Sequence, residues 1–163
     1  MRSPGEQRKK RLTPSEALAR IQRFCAYQER SHIQVRRKLF DYGLNSDEVE
    51  SIIAELITGG YLNEERFAKA FAGGKFRMKS WGKKKIEHQL KSQGLSNRCI
   101  STGLKEIDHA DYLKTMISLL KKKIASLGKE KPLIKKHKAG RYLIGKGYEP
   151  ELVWQQLEKM FPD

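Results

Sequence analysis

The sequence predicts an all-α protein, a tandem repeat of three-helix modules forming an elongated curved array. Three observations predict it: helix-start signals recur along the chain, three glycines carry matching apolar flanks, and strand-forming runs are sparse. The 163 residues are 38% hydrophobic and 33% charged. That is lean for a sphere but ample for small modules that share cores with their neighbours. Five prolines, six tyrosines and six phenylalanines, with few Val or Thr runs, argue against an all-β fold.

Taken in order, Met1 to Leu12 is basic but lacks a following apolar segment, so it reads as a disordered basic arm and not a secretory signal. Thr13-Pro14-Ser15-Glu16 then offers an N-cap, a proline at the first helical position and a capping-box glutamate. This starts a leading helix over 14–28. Ser31-His32-Ile33-Gln34 repeats the logic with Gln as the reciprocal partner, and Asn63-Glu64-Glu65 sets two acids at the positive end of a helix. Gly43, Gly94 and Gly147 each follow an apolar-periodic stretch, where a left-handed residue would stop a helix.

Those glycines, 51 and 53 residues apart, expose an internal repeat. Four residues before them stand Leu39, Leu90 and Leu143, and Leu44, Leu95 and Tyr148 follow at once. Val49, Ile100 and Val153 lie six residues beyond the glycines, and Ile53, Leu104 and Leu157 four further on. The unit reads as helix, Gly turn, helix and a longer connecting helix: 32–42, 46–58 and 64–79, then 83–93, 97–106 and 109–127, then 133–146 and 150–161. The helix over 109–127 carries a stripe of Leu113, Met116, Ile117, Leu120, Ile124 and Leu127, the pattern of one buried face. The division is therefore a basic arm at 1–12, a leading helix at 13–29, module 1 at 30–80, module 2 at 81–130 and a truncated module 3 at 131–163.

Net charge is +15, from 34 Lys and Arg against 19 Asp and Glu. Such an excess favours polyanionic partners, nucleic acid first among them. The charge is segregated: seven acids and no Lys or Arg between Asp41 and Glu65, seven bases and only Glu87 between Lys75 and Lys91, ten bases and only Glu130 between Lys121 and Lys146. A solvated face normally mixes signs, so the later modules read as a binding surface. Lys84, His88 and Lys91 share one helical face, and Lys135, Lys138 and Tyr142 another. Lysine dominance suits phosphate neutralisation, and no zinc finger, RRM aromatic pair or KH loop is present to read bases. Trp81, among Lys79, Lys83 and Lys84, is placed either to stack on a base or to pack at a module boundary.

Enzymatic chemistry finds little footing. Gly140 to Lys146 fits GxxxxGK, but Gly147 follows where a phosphate loop needs Ser or Thr, and no strand precedes it. His32, His88, His109 and His137 are scattered without ligand spacing. Cys25 and Cys99 lie 74 residues apart on apolar stripes, as reduced packing thiols in a cytoplasmic protein would. The reading is thus a non-enzyme with no cofactor and no metal.

One stretch has a more specific look. Arg30-Ser31 precedes a helix ending at Leu39 and Gly43, and Gly60-Tyr61-Leu62-Asn63-Glu64-Glu65-Arg66-Phe67-Ala68 follows. Gly82 then stands four residues before Ile86, with Leu90, Gly94 and Leu95 in series. This resembles the GYLDDxRFA core and the G-xxx-I-xxx-L-xxx-G-I pattern of the RecX family of recombinase regulators. Asn63-Glu64 replaces two aspartates and Leu95 the usual Ile, and the third module shares the spacing alone. The resemblance implies tandem three-helix modules that lie in the groove of a RecA–DNA filament and bridge its subunits. It further implies blocked strand entry, suppressed ATP turnover and LexA cleavage, and filament disassembly.

The expected partners are the RecA filament and the phosphate backbone of single-stranded DNA, met by a monomer without membrane contact. Charge clustering nominates Lys75, Arg77, Lys79, Lys83, Lys84, Lys85, Lys135, Lys136, Lys138 and Arg141 as the contact set. The acidic first module would face a basic surface of RecA. The rival function is a general nucleic-acid-binding basic helical protein without a recombinase partner, and a second rival is a helical adaptor with incidental basic faces.

Overall fold

The computed structural model describes residues 10–162, in which the chain forms nine helices and no strand. The arm expected over 1–12 lies outside the described residues up to residue 9. Arg11 and Leu12 are held in place: Leu12 N–H donates to Tyr42 O at 3.0 Å, and Arg11 pairs with Glu48. The helices are α1 (Pro14–Tyr27), α2 (His32–Asp41), α3 (Ser46–Thr58), α4 (Glu64–Lys79), α5 (Lys83–Ser92), α6 (Asn97–Leu104), α7 (His109–Ser126), α8 (Pro132–Gly145) and α9 (Pro150–Met160).

Capping chemistry sets these boundaries. Thr13 accepts from Glu16 N–H, and Ser31 and Gln34 close a full capping box at α2. Asn45 and Glu48 form a second box at α3 that the sequence reading did not single out. Asn63 Oδ1 accepts from Arg66 N–H at 2.9 Å at the start of α4. Each such cap satisfies donors that a helix otherwise leaves unpaired. At the other ends, Gly43, Gly94 and Gly147 adopt φ of 88°, 77° and 99°, the left-handed conformation expected of them.

The chain divides into two compact units, Met1–Phe67 and Ala68–Asp163. The first packs α1, α2 and α3 around one apolar cluster that includes Ile21, Val35, Leu39, Val49, Ile52, Ile53 and Leu56. In the second, α5 packs on α6, and α8 on both α7 and α9. The repeat positions are core in both: Leu39, Leu90, Leu143, Val49 and Val153 have no exposed surface, and Leu157 none either. Leu104 is the half-buried exception.

The stripe on α7 is rotated from the one expected. Tyr112, Met116 and Leu120 are its buried line, whereas Leu113, Ile117, Ile124 and Leu127 are half-buried. Tyr112 carries the rotation, because its hydroxyl has a half-buried acceptor, Glu149, that a purely apolar count overlooks. Cys25 is buried and Cys99 half-buried, both as free thiols, and burial pushes the Cys25 thiol up from its ordinary value.

Candidate nucleic-acid interface

All ten nominated cations fall in the second unit: Lys75, Arg77 and Lys79 on the last turns of α4, Lys83, Lys84 and Lys85 on the first turn of α5, and Lys135, Lys136, Lys138 and Arg141 on α8. The basic end of α4, the start of α5 and the end of α8 are tied together by main-chain hydrogen bonds. Gly82 N–H donates to Lys146 O at 2.8 Å, and Lys84 N–H donates to Gly147 O at 2.9 Å. Close backbone approach demands glycine on both sides: a Cβ on Gly82 would stand 2.2 Å from the carbonyl carbon of Gly147.

Side chains finish the junction. Tyr148 Oη–H donates to Ser80 O at 2.9 Å, holding a residue whose φ is +53°. Tyr112 Oη–H donates to Glu149 Oε1 at 2.7 Å and accepts from Lys83 N–H at 3.0 Å, and the Tyr112 and Tyr148 rings stack at 5.0 Å. Burial and the Glu149 carboxylate raise both phenols, Tyr148 to about 12 and Tyr112 further still. The first N–H groups of α5 are thereby spent within the fold. Its three lysines gain their positions from this packing, not from an anion at the helix end.

The lysines settle in three ways. Lys136 pairs with Glu158 at 2.7 Å and Lys138 with Glu130, so these two are already neutralised. Lys75 and Lys85 lie over the Trp81 ring at 5.0 and 4.4 Å, and Lys83 lies over Tyr112 at 4.7 Å. An aromatic face holds a cation weakly, at about 0.5–1 kcal/mol when exposed, and leaves its charge intact. Arg77, Lys79, Lys84 and Arg141 stand exposed, and Lys135 is half-buried. The sequence reading missed Lys123 and Lys146, which lie over Tyr142 at 4.9 and 5.8 Å. They belong to the same run of bases, but only the fold shows that they share one ring.

Trp81 meets Phe71 edge-on at 6.4 Å and is half-buried, so it packs on one side while holding cations on its face. Lys84, His88 and Lys91 do share the exposed face of α5, opposite buried Ile86 and Leu90. In the first unit the acids have cations of their own: Arg11 meets Glu48, Arg36 meets Glu50, Arg66 meets Glu29, and His32 lies beside Glu64. Within the acidic stretch, Glu48 and Glu50 are thus matched by arginines of the same unit. Gly140 and Gly145 are helical residues of α8, and a Cβ on Gly140 would strike the Trp154 ring at 2.5 Å, so this glycine serves packing. Among the described residues, no group of three or more His, Cys, Asp or Glu side chains could hold a metal ion. No helix there is long and apolar enough to cross a membrane.

Two family models match the chain: the second three-helix domain of RecX at residues 63–104 and the third at 110–157. Together they cover more than half of it. Their frame opens on α4 and α7, one helix earlier than the frame of the Gly spacing. The chain is 28% identical over 155 residues to a regulatory protein RecX of Lactobacillus gasseri, covering 95% of this chain and 57% of that protein. To a regulatory protein RecX of Lactobacillus johnsonii it is 29% identical, covering 90% and 54%. Its match thus spans little more than half the length of these relatives. With that of Prosthecochloris aestuarii it is 24% identical, covering 89% and 93%. The crystal structure of RecX from Lactobacillus salivarius superposes with a TM-score of 0.81 at 18% identity, over 90% of this chain and 95% of that one, a likeness of fold. With both tandem domains matched in order and curated relatives aligned along nearly its whole length, the chain belongs to the RecX family.

Proposed function

We propose that this protein is a non-enzymatic cytoplasmic regulator of the RecA recombinase. It binds the RecA filament on single-stranded DNA and inhibits strand exchange, ATP hydrolysis and RecA-promoted LexA cleavage, acting in recombination and the SOS response. Family membership supports the regulatory role. The observation that carries the DNA contact is the basic face of the second unit. Within its two lysine-rich segments the only acids, Glu87 and Glu130, are already paired with Lys91 and Lys138. Lys75, Lys79, Lys83, Lys84 and Lys85 are thus left facing no carboxylate of their own segments, and phosphates supply the missing counter-charge.

The test adds the protein to RecA on single-stranded DNA and follows ATP hydrolysis. Inhibition at substoichiometric protein supports the regulator. Inhibition that appears only when bare DNA is titrated away would identify a general nucleic-acid binder instead. Reversing Lys83, Lys84 and Lys85 to Glu should weaken the inhibition without unfolding the chain, and undiminished inhibition at moderate salt would overturn their assignment.

A further inference from the structure

The geometry points to a single-strand track in the second unit, in which Trp81 and Tyr142 stack on bases and the lysines that lie over each ring swing off its face to the flanking phosphates. This rests on the proposed DNA contact and deepens it from phosphate neutralisation to a distinction between nucleic-acid forms. Trp81 and Tyr142 share one feature: each ring carries two ammonium groups, Lys75 and Lys85 over the first, Lys123 and Lys146 over the second, all within 5.8 Å of a ring centre. Two uncompensated cations on one ring repel each other, and a phosphate between them removes that repulsion.

The two rings also belong to one junction. Lys146 lies over Tyr142, its carbonyl accepts from the N–H of Gly82 beside Trp81, and its Nζ reaches Lys79 O at 3.4 Å. Trp81 follows Ser80, the single non-Gly residue with positive φ among the described residues, and the Tyr148 hydroxyl pins that strained turn. Strain held by surrounding structure is typical of positions where a side chain must be presented in one place. Tyr142 is 41% exposed, on a helix whose buried line is Ala139, Gly140 and Leu143, so its ring is open to a ligand. Aromatics interleaved with lysines form the platform that tracks single strands, since unpaired bases offer their faces while those of a duplex are already stacked.

The experiment uses the full chain with Trp154→Phe, which leaves Trp81 as the sole tryptophan, and titrates oligothymidylate or its duplex with oligodeoxyadenylate. Oligothymidylate should quench Trp81 fluorescence, and the duplex should quench it far less. By anisotropy, Trp81→Ala and Tyr142→Ala should each weaken single-strand binding about tenfold while changing duplex binding less than about twofold. Trp81→Phe, which keeps a stacking face, should retain most of the affinity. Binding of both forms without quenching, or equal losses on both, overturns the stacking track and leaves the basic face standing. Binding of neither form at moderate salt overturns the proposed DNA contact as well. The quenching needs no change at Trp81, so it decides the matter even if Trp81→Ala unfolds.

Discussion

Gly82 and Gly147 occupy each other's side-chain space. A Cβ on Gly82 would fall 2.2 Å from Tyr148 N, and one on Gly147 would fall 2.6 Å from Lys85 N, at a φ of +99°. Backbone cannot yield as a flexible side-chain tip can, so neither site has room to adapt. Gly82→Ala and Gly147→Ala should each destabilise the second unit by about 3 kcal/mol or more. Gly145, two residues away, has nothing within 4 Å of its Cβ position and no left-handed φ. Gly145→Ala should be neutral or stabilise by about 0.5–1 kcal/mol, since alanine restricts the unfolded chain. Urea unfolding of the three variants checks both signs at once.

The Tyr112 hydroxyl serves two partners, the Glu149 carboxylate and the Lys83 N–H. Tyr112→Phe removes neither partner and strands both. Leaving such groups unpaired costs about 1–3 kcal/mol, with the lower end expected because Glu149 is only half-buried. Tyr148→Phe strands one acceptor, Ser80 O, and should cost less. Denaturation midpoints of the two variants, at constant slope, test the order.

The extent to which the molecule was legible beforehand follows from the kind of signal involved. Caps and glycine stops act over three or four residues, so Thr13, Ser31 and Asn63 and the glycines at 43, 94 and 147 could be read directly, and the helix ends fall within two residues of expectation. Periodicity located the core lines of α5 and α9 but misplaced that of α7, where Tyr112 buries its ring and hides its polarity in a distant pair. Charge clustering found the basic face without sorting it. Whether a lysine meets a carboxylate, an aromatic ring or solvent is decided by the fold, as for Lys136, whose partner Glu158 lies on another helix. The Gly82–Gly147 lock was invisible for the same reason: each glycine looked like an ordinary helix signal, and only the fold brings them together.

Alkali should loosen the second unit through its two raised phenols, Tyr112 and Tyr148, of which Tyr148 can be tested by itself. Burial, with the Glu149 charge, raises the Tyr148 phenol from its ordinary 10.0 to about 12. A raised value means that the fold favours the protonated form. The stabilisation is therefore complete below about pH 10 and is lost as pH climbs from there through about 12. Its full size is roughly 3 kcal/mol at 1.36 kcal/mol per unit. Tyr148→Phe should flatten the fall in stability over this interval, measured by denaturation at fixed pH steps. An unchanged slope would show that Tyr148 is not the titrating group.

Lys84 and Lys136 separate a charge that faces outward from one that is spent inside the fold. Lys84 is exposed on the first turn of α5, and no carboxylate of its own segment is left for it. Lys136 is 14% exposed at its side chain and paired with Glu158. If phosphates meet this face, each contacting lysine releases about 0.7 of a counterion per single-strand phosphate. Lys84→Gln should then lower the slope of log affinity against log salt by up to about one, with stability unchanged. Lys136→Gln should leave the slope alone and cost up to about 1 kcal/mol of stability, because the exposed partner tempers that ion pair. Titration of single-stranded DNA at three or four salt concentrations, beside unfolding of the same variants, distinguishes the two. A slope change for Lys136→Gln but none for Lys84→Gln would place the contact surface on α8 rather than on α5.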